Sequence, residues 1–353
     1  MFRQDRTNPS SAVSNWKGRR DTAKAWPSTA VSSWLNGGLF GGGAAYGAYW
    51  MGARYGSPNT DVIDFTNFAN DANETLAAVV GYASGVYGGA GFSNNGTAGY
   101  VAGGWNIDDI YKMDYATQTT SSVTDTLDQT YVSAVSGCAN SPTNGYVFGG
   151  YGPSMWADAK IINKMVFSSE AVAAISAEIL GGTAGGGFGS YSNTAVSNNG
   201  TAAIVADGAG GNGAMVSVSK LTYSGETMAR DVEDLPSGGY LCASLGNGSS
   251  NAIFVQGELS GNREDTTDKY VYATDVASAL GATTSFHGTA RGGGSNSGEF
   301  GYIAGGDSID AGYNPVDTLE KFTYSSDSVA VMSATLGNAR NYIPNGVANC
   351  ESL

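Results

Sequence analysis

The apolar and polar positions of this chain fall into a two-residue alternation that returns about every 50 residues. The clearest copy is Leu319-Glu320-Lys321-Phe322-Thr323-Tyr324. Ile110-Tyr111-Lys112-Met113-Asp114-Tyr115, Ile162-Asn163-Lys164-Met165-Val166-Phe167, Ser219-Lys220-Leu221-Thr222-Tyr223 and Asp268-Lys269-Tyr270-Val271-Tyr272 repeat its form. Each reads lysine, large apolar residue, any residue, aromatic, and an alternation this rich in aromatic and β-branched residues predicts a strand. Ile63-Asp64-Phe65-Thr66-Asn67 is a degenerate copy, with Asp64 read at the lysine place. From Asp64 onward the copies are 48, 52, 56, 49 and 52 residues apart, the mark of a repeat architecture.

A second string keeps step with the first. Gly99-Tyr100-Val101-Ala102-Gly103-Gly104, Gly145-Tyr146-Val147-Phe148-Gly149-Gly150 and Gly301-Tyr302-Ile303-Ala304-Gly305-Gly306 are close copies. Residues 203–208 and 252–257 are looser ones, and Gly38-Leu39-Phe40-Gly41-Gly42-Gly43 is read as the first. A short apolar run closed by glycines suits a strand buried on both faces and ended by a turn of positive φ. A Ser/Thr-rich segment and an Asn-Gly turn, as at Asn94-Asn95-Gly96, complete each unit. Three to four short strands in about 50 residues make one propeller blade. The expected fold is therefore all-β, a six-bladed kelch-like β-propeller with an extended N-terminal arm: arm 1–37, then blades at about 38–98, 99–144, 145–201, 202–251, 252–300 and 301–350. The last lead-in segment, Asn341 to Ala348, has no following strand and is expected to complete the blade begun near the N-terminus, which removes the free sheet edges.

Charge divides the chain. Residues 1–36 carry Arg3, Arg6, Lys17, Arg19, Arg20 and Lys24 against Asp5 and Asp21, a balance of +4, so the remainder of the net −14 is −18. An acidic propeller disfavours nucleic acid and anionic membranes. No run of eighteen apolar residues predicts a membrane-spanning helix, and no secretory signal is read at the N-terminus. The arm holds Trp16, Trp26 and Trp34, which a disordered tail would lack. It is read either as packing on its own propeller or as an anchor on a neighbouring subunit through Arg3, Arg6, Arg19, Arg20 and the three tryptophans. Cys138, Cys242 and Cys350 are an odd, scattered set, read as free thiols.

Little in the sequence speaks for catalysis. His287 is the single histidine, which rules out a site built on two. Gly208-Ala209-Gly210-Gly211-Asn212-Gly213 matches G-x-G-x-x-G, but the strand-like Met215 to Tyr223 follows it, so it is read as a turn. Asp108-Asp109 and Asp307 with Asp310 follow glycine-ended strands and are read as solvated loops, with a weak Ca²⁺ site as the sharper alternative. Five of the six lysines beyond the arm occupy one repeat position. A residue recurring in every blade serves the blade, so the stem is expected between sheets with its ammonium on a carboxylate or carbonyl at the rim; a ring of charge for a ligand is the alternative. Tyr46, Tyr49, Trp50 and Tyr55 lie in the longest inter-string interval and are read as a local packing cluster, with a projecting loop able to stack on a glycan or dock on a protein as the sharper alternative. No cofactor is implied.

Asp317-Thr318-Leu319-Glu320-Lys321-Phe322-Thr323-Tyr324-Ser325-Ser326-Asp327, with Leu336-Gly337-Asn338-Ala339-Arg340 after it, resembles the kelch-like repeat of phage virion proteins, those of marine phages especially. Phe68-Ala69-Asn70-Asp71-Ala72-Asn73 is similar to that repeat's turn, and the resemblance covers about residues 38–350. It implies a structural or receptor-contacting virion part, usually of the tail, present in several copies among other virion subunits. Asp207 and Gln256 stand where the repeat has glycine. The expected function is a non-enzymatic tail component (fibre, baseplate or nozzle) held by its arm. A capsid decoration protein and a glycan- or host-receptor-binding module are the alternatives. An enzyme similar to galactose-oxidase propellers is a further class, against which the shortage of histidine counts.

Overall fold

The computed structural model describes residues 46–349 apart from short interruptions, the longest at 54–59, 129–134, 151–159 and 180–193. The chain divides into two units, Met1–Gly43 and Ala44–Leu353, and the described residues belong to the second. Arg3, Arg6, Trp16, Arg19, Arg20, Trp26, Trp34, Tyr55 and the Gly38 to Gly43 string lie outside them.

The described residues form an all-β, six-bladed propeller. Blade 1 contains β1 (Gly47–Ala53), β2 (Thr60–Asn67) and β3 (Asn73–Val79). Blade 2 follows with β4 (Ala90–Asn94), β5 (Ala98–Gly104), β6 (Ile107–Asp114) and β7 (Thr119–Ser122). Blade 3 is β8 (Ser136–Asn140), β9 (Asn144–Phe148), β10 (Ile161–Val166) and β11 (Ala171–Glu178). Blade 4 has β12 (Thr194–Ser197) and β13 (Ala202–Ala206), a small hairpin of β14 (Ala209–Gly210) and β15 (Gly213–Ala214), then β16 (Ser217–Thr222) and β17 (Thr227–Asp234). In blade 5, β18 (Ala243–Asn247) and β19 (Asn251–Val255) lead through β20 (Glu258–Leu259) to β21 (Asn262–Val271) and the long β22 (Val276–Thr289). Blade 6 has β23 (Gly292–Ser295) and β24 (Phe300–Ala304), a hairpin of β25 (Asp307–Ser308) and β26 (Asn314–Pro315) that extends the sheet of β22, then β27 (Thr318–Thr323) and β28 (Ser328–Thr335). Finally β29 (Ala348–Asn349) pairs with β1, Ala48 opposite Ala348, so the C-terminal strand becomes the inner strand of blade 1.

The ring thus closes as expected, with β29 on Gly47–Ala53; the Gly38 to Gly43 string read as the first copy lies outside the described residues. The sheets also begin one strand earlier than the unit boundaries read from the sequence. In blades 2 to 6 each lead-in strand pairs with the strand after it, Phe92 opposite Tyr100 for example, so the lead-in belongs to the following blade. These first strands lie side by side about the axis. They crowd there, and a Cβ on Gly137 would sit 2.6 Å from the carbonyl oxygen of Gly91 in the preceding blade.

The core lies between blades, one hydrophobic cluster at each of the six junctions. That placement rules out the projecting-loop alternative for Tyr49 and Trp50 and agrees with the reading of a packing cluster. Tyr49 and Trp50 are 0% and 1% exposed on β1. They leave opposite faces of the strand, Tyr49 into the junction with blade 2 and Trp50 into the junction with blade 6. The Trp50 indole donates to the Thr66 hydroxyl at 2.7 Å, which satisfies its polar atom in the core. Tyr46 precedes the strand, half-buried.

Candidate functional site

The repeated string builds the junctions, and the junctions carry most of the ordered polar chemistry. Along each third strand, alternate residues face opposite neighbours. The lysine faces the next blade and meets the carboxylate of that blade's outer hairpin. Lys112 meets Glu170 at 2.6 Å, Lys220 meets Asp275 at 2.7 Å, Lys269 meets Asp327 at 2.9 Å, and Lys164 pairs with Glu226. Lys321 meets Asp71 at 2.7 Å, across the seam between the last blade and the first. The expected rim partner of the lysines is therefore a carboxylate. Each acid sits in the left-handed backbone region: Asp71, Glu170, Glu226, Asp275 and Asp327 have φ of 57°, 55°, 46°, 52° and 46°. Their hairpins run through a tight turn ending in a left-handed residue, which glycine usually occupies.

The sixth junction, from blade 1 to blade 2, departs on both sides at once. Phe65 stands where the lysine would, because Tyr49 pairs with Phe65 as Tyr100 pairs with Lys112. Gln118, φ 51°, stands where the acid would. Asp64 is therefore not a degenerate lysine but the residue before it. The aromatic of this copy is Phe68, stacked on Tyr302 of blade 6 at 4.9 Å as Tyr115 stacks on Tyr49 and Phe167 on Tyr100.

The place before the lysine faces the preceding blade and bonds to the loop there. Asp64, Asn163, Asp268 and Glu320 accept the backbone N–H of Gly337, Asp128, Ser237 and Ser285 at 3.2, 3.1, 3.0 and 2.6 Å. Tyr111 occupies the place in blade 2 and donates its hydroxyl to the Gly81 carbonyl at 3.0 Å. The sequence signal was a polar residue on the apolar face of a strand, which must find a partner when buried. At the seam the link is ionic. Arg340 and Asp64, both 0% exposed, meet at 2.6 Å, and the guanidinium also donates to the Trp50 and Val62 carbonyls. Burial lowers the Arg340 pKa, and Asp64 opposes that. The Asp275 carboxyl is raised by burial, but hydrogen bonds from Lys220 and Tyr270 hold it below its ordinary value. Burial raises the Tyr270 and Tyr302 hydroxyls, with Asp275 and Asp71 adding to it, so both stay protonated donors.

The opposite end of the propeller carries the longer connections. There His287 lies 3.8 Å from both Asp265 and Asp310 and is half exposed. Among the described residues no group of three or more His, Cys, Asp or Glu is spaced to hold a metal ion. Asp307 and Asp310 do not act together: Asp307 is buried and accepts from the Asn341 amide, whereas Asp310 is exposed. Asp108 and Asp109 lie within β6 and not in a loop. The G-x-G-x-x-G match spans the β14–β15 hairpin, with Gly210 opposite Gly213. Burial pushes the Cys138 and Cys242 thiols up to about 12, which makes poor nucleophiles. No helix of the described residues is long and apolar enough to cross a membrane.

No protein-family model and no curated protein matches the chain. Among solved structures it is similar to that of YjhT, with a TM-score of 0.57 and 14% identity over 72% of this chain and 85% of that one. The likeness is one of fold.

Proposed function

We propose that this chain is a non-enzymatic structural component of a phage particle, a part of the tail built as a rigid propeller and attached through its N-terminal arm. The observation that carries the structural reading is the use of the repeated polar groups. The five string lysines, their five hairpin acids and the buried acceptors Asp64, Asn163, Asp268 and Glu320, which precede Phe65, Lys164, Lys269 and Lys321, all link neighbouring blades. Chemistry repeated in this way serves a disc that keeps its shape, and leaves recognition to loops. The phage assignment rests on the resemblance of residues 317–340 to virion repeats. A host-receptor role cannot use Tyr49 and Trp50, which are buried; it falls instead to the connections at the end opposite the outer hairpins, where Tyr313 is 62% exposed between β25 and β26.

Mass spectrometry of purified particles, joined to electron microscopy with a gold-labelled antibody against the propeller, tests the reading. The expected result is the chain in the particle with label on the tail. Label over the head moves the protein to the capsid-decoration alternative, and absence from the particle removes the virion reading altogether.

A further inference from the structure

One arc of the propeller rim differs from the rest. The outermost strand of a blade has one paired edge and one open edge, and natural proteins guard open edges with charge. On blade 4, the eight residues of β17 include Arg230, Asp231, Glu233 and Asp234. On blade 6, β28 reads Ser-Val-Ala-Val-Met-Ser-Ala-Thr, with no charge. On blade 5, the rim portion of β22 from Val276 to Thr283 has none either. These two strands run beside each other. Val276 and Val331 are 49% and 57% exposed, and Ala279 and Ala330 are exposed with them. Blade 1 carries Glu74 on its rim strand. Blades 2 and 3 also have uncharged or nearly uncharged rims, but the exposed residues are Thr119, Ser121 and Ser122 in the one and alanines with Ser176, ending in Glu178, in the other, so neither offers exposed valine. The outer ladders run regularly from the hairpins to Ala279 and Val331, where the register shifts, so each strand offers a four-residue edge.

We propose that this neutral arc docks a second copy of the chain, edge to edge across a two-fold axis. At a net charge of −14, two copies repel one another over most of their surface and approach most easily where neither carries charge. A basic partner would be drawn to the acidic surfaces and gains nothing from a strip without charge. A strand paired antiparallel with its own copy is self-complementary, as a two-fold contact must be. The open edges supply main-chain hydrogen bonds, and Val276 and Val331 supply the apolar cover. Four residues per edge make a weak contact, suited to assembly in many copies. The inference stands apart from the phage reading, because its test needs no particle.

Sedimentation velocity of the full chain at ~0.1 mM, at low and at high salt, tests it. Screening relieves the repulsion between acidic copies, so the dimer fraction is expected to rise with salt. Docking of the basic arm on a neighbouring acidic propeller predicts the reverse. Val331→Asp and Ala279→Asp should abolish the dimer, while Thr227→Asp, which adds the same charge to the already charged rim of blade 4, should leave it intact. Circular dichroism checks that all three variants fold. A monomer at both salt concentrations, association that falls with salt, or equal loss in all three variants overturns the proposal.

Discussion

Arg340 and Asp64 show how one residue pair decides the seam. Removing one member of a buried ion pair leaves the other charged and desolvated, which costs about 3–5 kcal/mol. Arg340→Met is therefore expected to lower the free energy of unfolding by that amount, measured by urea denaturation. The hairpin pairs are partly exposed and contribute much less, at most about 1 kcal/mol each. Lys220→Met should fall in that smaller class, and its effect should depend on pH. The Asp275 pKa is depressed in the folded state, so its contribution is present above the unfolded value of about 3.9 and is lost as pH falls through the lower folded value. Urea midpoints of the wild type and Lys220→Met should differ at pH 7 and converge as pH falls below the folded-state value of Asp275.

At the scale of the element, the outer hairpin holds a backbone conflict. A left-handed conformation costs a non-glycine residue roughly 1–2 kcal/mol, while glycine costs about 0.5–1 kcal/mol in the unfolded chain. At Gln118 no ion pair depends on the side chain, because Phe65 replaces the lysine. Its side chain approaches the buried Tyr49 hydroxyl, a weak contact to lose, so Gln118→Gly is expected to stabilise the protein by at most about 0.5 kcal/mol. The same change at Glu226 gives up the Lys164 pair and should gain little or nothing. Calorimetry on the two variants separates backbone strain from the ion pair, and equal gains would show that the acid is not used as a link. A hairpin keeps a strained acid where the acid is the contact to its neighbour.

For the whole molecule, stability depends on closing the ring. Val347 packs in the junction of blades 1 and 2, its carbonyl accepts the Tyr49 N–H at 2.8 Å, and the Ala348 carbonyl accepts the Ser93 hydroxyl at 2.7 Å. Deleting residues 347–353 exposes the inner edge of β1 and unpacks that junction. The melting temperature is expected to drop by more than in any single hairpin variant, and the open edge should promote aggregation. A truncated chain that melted like the full one would mean that the closing strand contributes little.

The sequence by itself determined the number of blades, the strand period, the lysine that recurs in five of them and the closure of the first blade by the end of the chain. A repeat exposes these because every copy repeats the same local pattern. It did not determine which strand begins each sheet, since a lead-in segment between two alternating runs can pair with either. It misplaced Asp64 by one position, because equivalence within a repeat follows ladder register and not residue type. Tyr49 and Trp50 could be read as a packing cluster or a loop but not placed on a strand, because theirs lies in an irregular interval. Only the tertiary structure paired the lysines with their acids, which lie 55 to 62 residues away along the chain, or 250 at the seam. Contacts at such distances depend on blades packing face to face around an axis, which no local pattern records.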